Sequence, residues 1–187
     1  MSNIWLISDT HFNHNQSFLY EPRGFVSVKE MNESIIERWN SLVKPEDTVY
    51  HLGDVIMGDL DAGLQFVKSL NGHIKLALGN HDTPQRVAAF SEFFDEIQFG
   101  YRLKVGKKVL YLSHYPMLTG NFDNSKVYSI HGHTHNKEKF NPEYELMFNV
   151  CCDAINCMPL PLTLAIDMIN QNQENRIKKL KILDKLD

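Results

Sequence analysis

The sequence predicts an α/β fold built on a largely parallel sheet, because short apolar runs alternate with amphipathic stretches along its first half. The apolar runs are rich in β-branched residues and are followed by glycine or polar residues, which favours buried strands over helices. In the middle of the chain, residues 96–113 predict two strands around Gly106 that form an antiparallel hairpin.

Five strands of the sheet are predicted, and side chains that can bind metal follow each of them. The strands cover 4–8, 48–52, 74–78, 108–113 and 127–130. The first is followed by Asp9 and His11, the second by Asp54, the third by Asn80 and His81, the fourth by His114, and the fifth by His133 and His135. Ligands of an open α/β sheet bind at the carboxyl ends of its strands. Residues i and i+2 beyond a strand point the same way, so Asp9 is expected beside His11. The sequence therefore predicts that these side chains converge on one edge of the sheet.

Four helical stretches are predicted, over 28–43, 60–70, 83–90 and 163–186. In the first, Met31, Ile35 and Trp39 recur every four residues and form an apolar stripe opposite polar residues. Pro84 falls in the first turn of the third, where its missing N–H is tolerated. Because no internal repeat or flexible linker interrupts the chain, residues 1–187 are expected to form a single domain.

Composition and charge narrow the functional classes. Hydrophobic residues make up 43% of the chain and charged residues 22%, as in ordinary globular proteins. The formal net charge of −4 argues against a generally basic surface for extended nucleic acid. Cys151, Cys152 and Cys157 lack metal-ligand spacing and give no disulfide framework, so we expect buried thiols in a reducing cytoplasm. No signal peptide or membrane-spanning run is apparent, so no membrane partner is expected.

The converging side chains predict a centre for two metal ions. Imidazole and carboxylate donors without thiolate suit Zn, Fe, Mn, Co or Ni better than Ca. Seven candidate donors are too many for one ion, and the two ions of a hydrolytic pair lie about 3.5–4 Å apart, which requires a bridging group. Asp54 is the expected bridge, because one carboxylate can offer an oxygen to both ions. Asp9 and Asp54 cancel only part of the charge of two divalent ions, which leaves a surplus for an anionic substrate.

Five motifs occur in order between residues 9 and 135: DTHFNH, LGDV, LGNHD, LSHYP and HGHTH. Together they resemble the calcineurin-like metallophosphoesterase superfamily, and in particular its compact bacterial and phage members with DTHF-x-H near the N-terminus. The resemblance implies a four-layer α/β/β/α sandwich of mixed sheets flanked by helices. It also implies a dinuclear phosphoric ester hydrolase, a phosphodiesterase or phosphatase, in which a metal-bridging hydroxide attacks phosphorus.

The resemblance further implies a role for each motif residue. The first metal would be bound by Asp9, His11 and His135, the second by Asn80, His114 and His133, and both by Asp54. His81 is similar to the catalytic histidine of the family, which protonates the leaving oxygen or stabilises its developing charge. Asp82 would then orient the imidazole of His81, as carboxylates do for other catalytic histidines.

Two residues outside the metal ligands are candidates for contact with the substrate, which is expected to be a small phosphate ester such as a nucleotide. Arg23 lies in a loop between Pro22 and Gly24, and a guanidinium matches a phosphate bidentately. The alternative for Arg23 is an ordinary solvated loop residue. His14 follows the first predicted ligands in the same loop.

Two other functions remain open at this point. A nuclease acting on short or single-stranded nucleic acid is disfavoured by the acidic net charge and by the small size, which leaves no accessory domain to hold a strand. A non-catalytic interaction module of the same fold is expected to have lost the catalytic histidine or some ligands. In this chain every one of those positions is filled.

Overall fold

The computed structural model describes residues 2–119 and 126–183, and within them nine strands and five helices follow one another. In chain order they are β1 (Ile4–Ile7), α1 (Ser17–Tyr20), α2 (Val28–Leu42), β2 (Thr48–His51), α3 (Leu60–Lys68), β3 (His73–Ala77), α4 (Pro84–Phe90), β4 (Glu96–Gln98), β5 (Gly100–Val105), β6 (Lys108–Ser113), β7 (Val127–His131), β8 (Met147–Asn149), β9 (Leu160–Pro161) and α5 (Leu162–Leu183). All five predicted strands are present, with bounds within one residue of those expected.

The strands form two mixed sheets. The first has the order β4-β3-β2-β1-β9, in which β1 to β4 are parallel and β9 runs antiparallel to β1. Every crossover between its parallel strands contains a helix, as parallel pairing requires. The second sheet has the order β5-β6-β7-β8, with an antiparallel β5–β6 pair and two parallel pairs after it. Two mixed sheets with flanking helices are the architecture that the family resemblance implied.

The sequence-based assignment differs from the structure in several short segments, among them the one-turn helix α1, which is not predicted. The hairpin around Gly106 is confirmed as β5 and β6, but β4 joins the first sheet beside β3. Strands β8 and β9 are not predicted, since three and two residues are too short to show a period. Helix α5 begins one residue earlier than expected, and the predicted positions 184–186 lie outside the described residues.

Helix α2 shows how local sequence sets an element in place. The Ser27 side chain caps it by accepting a hydrogen bond from the Glu30 N–H, which satisfies one of the free donors of the first turn. Its apolar stripe is buried as predicted, with Met31, Ile35 and Trp39 fully covered. The indole N–H of Trp39 donates to the carbonyl of Asn71, so the large buried ring leaves no unpaired donor.

The two sheets are joined at the edge where their strands end. Ser8, just beyond β1, pairs with Cys151, just beyond β8. The Ser8 N–H donates to the carbonyl of Val150, and the Cys152 N–H donates to the carbonyl of Ser8. This link brings the loops after β1, β7 and β8 into contact. In the part of the chain that is described, no helix has the length and apolar character of a membrane span.

Candidate metal centre

The predicted donor side chains converge at the carboxyl ends of strands from both sheets. Strands β1, β2 and β3 deliver one set, and β6 and β7 deliver the other. The full set is Asp9, His11, Asp54, Asn80, His114, His133 and His135, the residues that the sequence predicted. They lie at the ends of two sheets rather than at one edge of a single sheet, because β6 and β7 belong to the second sheet. Two clusters of side chains able to hold a metal ion occur among these residues, and both include Asp9.

The loops that carry these donors adopt an unusual backbone conformation. Five of them have positive φ angles, between 48° and 71°, although none is glycine: Asp9, His11, Asp54, His133 and His135. Left-handed backbone is unfavourable for residues with a Cβ, and it persists at functional sites where the surrounding structure imposes it. The chain therefore tolerates strain at these residues, and this aims their side chains inward.

Three glycines allow the loops to approach one another closely. A Cβ on Gly79 would lie 2.2 Å from Oδ1 of Asp54, and one on Gly132 would lie 2.5 Å from Oδ2 of Asp9. A Cβ on Gly53 would lie 2.7 Å from Nδ1 of His114. The glycines of LGD, LGN and HGH thus keep space for the donor groups of neighbouring loops.

The first group of donors surrounds the space between β1 and β7. His11 Nε2 lies 3.2 Å from His135 Nε2 and 3.8 Å from Asp9 Oδ1. His135 Nε2 lies 3.5 Å from Asp9 Oδ1, and Asp54 Oδ2 lies 3.6 Å from His11 Nε2. Donor atoms that share one ion at about 2.0–2.2 Å are separated from one another by about 2.8–3.6 Å. These four side chains have close to that spacing.

The second group of donors lies on the side of β3 and β6. His114 Nε2 is 2.9 Å from Asn80 Oδ1, 3.1 Å from His133 Nδ1 and 3.5 Å from Asp54 Oδ2. The Nδ1 of His114 donates to the Leu52 carbonyl, which leaves the lone pair of Nε2 directed at the other donors. Asp54 Oδ2 is therefore close to a histidine of each group, the position that a bridging ligand requires.

The electrostatics of this cluster fit divalent cations. Asp9 is fully buried, and its Oδ1 has no hydrogen-bond partner. Burial alone would raise the pKa of Asp9, but the imidazoles of His11, His114 and His135 around it hold that pKa well below its usual range. Burial lowers the pKa values of His11 and His133, which keeps both imidazoles neutral and able to coordinate. A buried carboxylate with a free oxygen, facing neutral imidazoles, is costly unless a cation compensates it.

His81 lies at the open side of the centre, where its catalytic role stays a prediction, but Asp82 has a different role from the one predicted. The His81 side chain is 43% exposed, and its Nε2 lies 4.0 Å from Asp54 Oδ2. The carboxylate of Asp82 instead accepts from the backbone N–H groups of Asp54, Val55 and Gly79. The prediction that Asp82 orients the His81 imidazole is therefore wrong. Asp82 ties the loop after β2 to the loop after β3.

Arg23 also differs from expectation. Its side chain is only 1% exposed, and it forms a bidentate pair with Asp153, with Nε 3.2 Å from Oδ1 and one terminal nitrogen 2.8 Å from Oδ2. The same guanidinium donates to the carbonyls of Asp9 and Thr10. The structure thus contradicts a phosphate contact by Arg23, because its donors are already used within the protein. These contacts tie the Arg23 loop to the loops that carry Asp9 and Asp153.

Asp153 supports a donor of the centre and was not predicted from the sequence. Its Oδ2 lies 2.9 Å from Nδ1 of His135, so the carboxylate holds this imidazole with Nε2 facing the first donor group. Burial would lower the pKa of His135, but the hydrogen bond to Asp153 and the negative charges of Asp9 and Asp153 together outweigh it and raise the pKa. A lone Asp in CCDAI has no motif around it, so only its spatial position identifies it.

The remaining histidines near the centre lie around the donors. The His14 ring packs 5.5 Å from the His11 ring, which places it at the rim, where substrate contact remains a prediction. His51 is buried, its Nε2 is 3.0 Å from the Thr10 hydroxyl, and its Nδ1 has no hydrogen-bond partner. His131 is buried with its Nδ1 on the carbonyl of Gly132. The three cysteines are buried, as expected.

Comparison with known proteins agrees with this arrangement. Residues 2–179 match the calcineurin-like phosphoesterase family. An uncharacterised protein of Methanocaldococcus jannaschii is 36% identical over 183 residues, which cover 92% of this chain and 94% of that protein. The gene 66 protein of Mycobacterium phage L5 is 30% identical over 165 residues, which cover 72% of this chain and 78% of that protein.

The crystal structure of a protein of unknown function from Aquifex aeolicus has the same fold, with a TM-score of 0.66 at 28% identity, covering 96% of this chain and 100% of that one. The family match spans nearly the whole chain, and the Asp and His side chains of the centre are placed to bind metal. The chain therefore belongs to the calcineurin-like phosphoesterase family and is a metal-dependent phosphoesterase.

Proposed function

We propose that the centre holds two divalent transition-metal ions, such as Mn, Fe, Zn or Ni, and hydrolyses a phosphodiester or phosphomonoester. The observation that carries this proposal is the position of Asp54 Oδ2, 3.6 Å from His11 Nε2 in one donor group and 3.5 Å from His114 Nε2 in the other. A carboxylate between two groups of metal-binding donors is the arrangement that a shared pair of ions requires.

Each donor has a proposed place in this centre. Asp9, His11 and His135 hold one ion, Asn80, His114 and His133 hold the other, and Asp54 is shared. Only Asp9 and Asp54 bring negative charge, and Asn80 contributes a neutral oxygen. When bound, the ions supply an activated water molecule for attack on phosphorus and a surplus of positive charge for the phosphate.

His81 assists the departure of the leaving oxygen. Its backbone N–H donates to Asp54 Oδ1 at 2.8 Å, which fixes the start of its loop against the shared carboxylate. Its half-exposed side chain faces the site from the side that substrate can reach. A positioned imidazole can donate a proton to an alkoxide as the bond to phosphorus breaks.

Metal content tests the shared carboxylate directly. We expect elemental analysis after reconstitution with Mn or Zn to find two ions per chain, and Asp54→Ala to lose at least one of them. His73→Ala is a matched control, because His73 is an exposed histidine that pairs with Asp95 away from the centre. Saturation at one ion, with that ion retained in Asp54→Ala, would contradict the proposal.

Leaving-group dependence tests the role of His81. We expect His81→Ala to keep both ions and to lose about 10²–10⁴-fold in turnover on esters with poor leaving groups. The loss should shrink for a nitrophenyl ester, whose leaving group departs without protonation. An equal loss for both kinds of ester would favour charge stabilisation over proton donation, and loss of an ion would make His81 a ligand.

A panel of phosphomonoesters, cyclic nucleotides, dinucleotides and short oligonucleotides, assayed with added Mn, separates the candidate substrates. A small phosphate ester such as a nucleotide is our proposed substrate, and the net charge of −4 favours it over extended nucleic acid. A nuclease would act on the oligonucleotides first. A non-catalytic module would bind metal and hydrolyse nothing in the panel. The free cysteines support a reducing, cytoplasmic location.

A further inference from the structure

The thiol of Cys151 contacts a donor of the metal centre. Cys151 is fully buried just beyond β8, and its S–H donates to the carboxylate of Asp9, with Sγ 3.0 Å from Oδ2. A buried thiol ordinarily packs as a small apolar side chain and matters little beyond its volume. The hydrogen bond to Asp9 sets this cysteine apart from an ordinary packing residue.

The two carboxylate oxygens of Asp9 have different surroundings. Oδ2 accepts from the Cys151 thiol at 3.0 Å and from the backbone N–H of His133 at 2.9 Å. Oδ1 has no hydrogen-bond partner, and it lies 3.5 Å from Nε2 of His135 and 3.8 Å from Nε2 of His11. The protein therefore engages Oδ2 with its own donors and leaves Oδ1 facing the first donor group.

The backbone of Cys151 is fixed on both sides. Its N–H donates to Oδ1 of Asn149 at 2.9 Å, and its carbonyl accepts from the N–H groups of Ala154 and Ile155. The bridge between Ser8 and Cys151 places the residue beside the end of β1. These contacts hold the sulfur at the carboxylate independently of any bound ion.

The sulfur itself lies outside the two donor groups. Within the described residues, the clusters of side chains that could hold a metal ion consist of aspartate and histidine and include no cysteine. A cysteine that binds metal does so as a thiolate, whereas an S–H that donates a hydrogen bond keeps its proton. Cys151 can therefore act on the centre only through Asp9.

We infer that Cys151 is a positioning residue of the metal centre, whose thiol fixes the Asp9 carboxylate so that Oδ1 is presented to the first ion. The inference rests on the proposed metal centre and adds to it a residue that is not a ligand. Without the thiol, Oδ2 would keep only the N–H of His133, and the carboxylate could rotate. Loss of a hydrogen bond that orients a metal ligand typically weakens metal binding by about 10–100-fold.

Two substitutions separate the hydrogen bond from simple packing. Cys151→Val keeps an apolar side chain without a donor, and Cys151→Ala replaces it if the valine variant does not fold. Cys151→Ser keeps a donor in a smaller side chain. Cys157→Ala is a matched control, because Cys157 is buried in the same loop and its thiol contacts Cys152. Mn binding to each metal-free protein is measured by calorimetry.

We expect Cys151→Val to weaken one of the two Mn binding steps by about 10–100-fold, and Cys157→Ala to leave both unchanged. Cys151→Ser should bind Mn at least about threefold more tightly than Cys151→Val, because a hydroxyl also donates to a carboxylate. The Co-loaded wild type should show no charge-transfer band from sulfur to cobalt, since the thiol stays outside the coordination sphere.

Wild-type Mn affinity in Cys151→Val, or equal losses in the valine and serine variants, would overturn the positioning role and leave Cys151 as a packing residue. A sulfur-to-cobalt band that Cys151→Ser abolishes would make Cys151 a ligand and overturn the inference as well. Absence of Mn and Co binding by the wild type would instead refute the proposed metal centre, and the inference with it.

Discussion

Removal of the Arg23 guanidinium is the change for which sequence and structure predict opposite results. A phosphate-binding loop arginine would affect catalysis and leave stability nearly unchanged. In the structure, Arg23 is buried against Asp153, whose side chain is itself only 10% exposed. Arg23→Ala therefore leaves a buried carboxylate without its partner, directly behind the His135 that this carboxylate holds.

The expected size of the effect follows from the burial of the pair. Breaking a buried ion pair by removing one partner costs about 3–5 kcal/mol, because the remaining charge has no compensation. We expect Arg23→Ala to lower the free energy of unfolding by about that amount and the melting temperature by about 6–20 °C. Arg23→Lys should recover only part of the loss, because an ammonium cannot make the paired contact.

Chemical unfolding of the metal-free protein measures this effect without interference from bound ions. Arg176→Ala is a matched control, since Arg176 also pairs with a carboxylate, Glu145, at 3.0 Å, but on the exposed surface of α5. An exposed pair contributes about 0–1 kcal/mol, so the control should be nearly silent. A double-mutant cycle of Arg23→Ala with Asp153→Asn should show strong coupling.

A loss of less than about 1 kcal/mol in Arg23→Ala, similar to that of Arg176→Ala, would refute the burial argument. If Arg23→Ala kept its stability but lost kcat/KM on every active ester, the guanidinium would have to turn toward the substrate in solution. The phosphate contact expected from the sequence would then be restored.

Two further predictions concern the loops and the core beneath the centre. Gly79→Ala places a Cβ 2.2 Å from Asp54 Oδ1 and should weaken Mn binding in calorimetry by at least about tenfold, whereas Gly106→Ala, with no atom within 4 Å of its Cβ, should not. Burial lowers the pKa of His51 to about 3 from its ordinary value of 6.5. Between these two pH values His51 is therefore protonated in the unfolded state and neutral in the folded state, so stability falls as the pH is lowered below 6.5. The metal-free protein should lose about 2 kcal/mol through His51 between pH 7 and pH 5, and unfolding of His51→Gln should show a correspondingly weaker pH dependence. Equal Mn affinity in both glycine variants, or parallel pH curves for His51→Gln and wild type, would contradict these predictions.

Strand positions were readable from the sequence because burial dictates local composition. A buried strand needs a short apolar run, so β1, β2, β3, β6 and β7 could be placed to within one residue. The glycine and polar residues that follow each run mark where it ends. Short strands such as β8 and β9 carry too few residues for such a signal, and their pairing depends on strands distant in the chain.

The role of Asp82 could not be predicted from its motif. LGNHD places Asp82 next to His81, and adjacency in sequence suggests contact. Neighbouring residues in a turn point in different directions, however, and the carboxylate turns toward the backbone of the loop after β2. Residues 54 and 82 are 28 positions apart, so no local pattern could reveal that contact.

By itself, the sequence determined the fold class and the seven candidate metal donors, because both follow from local features: apolar runs mark the strands, and residues able to bind metal follow these runs directly. Only the tertiary structure decided that the donors meet where two sheets join, and how their loops are supported. Arg23 and Asp153 lie 130 positions apart, and whether a loop arginine faces solvent, substrate or a buried carboxylate depends on which distant loop folds against it.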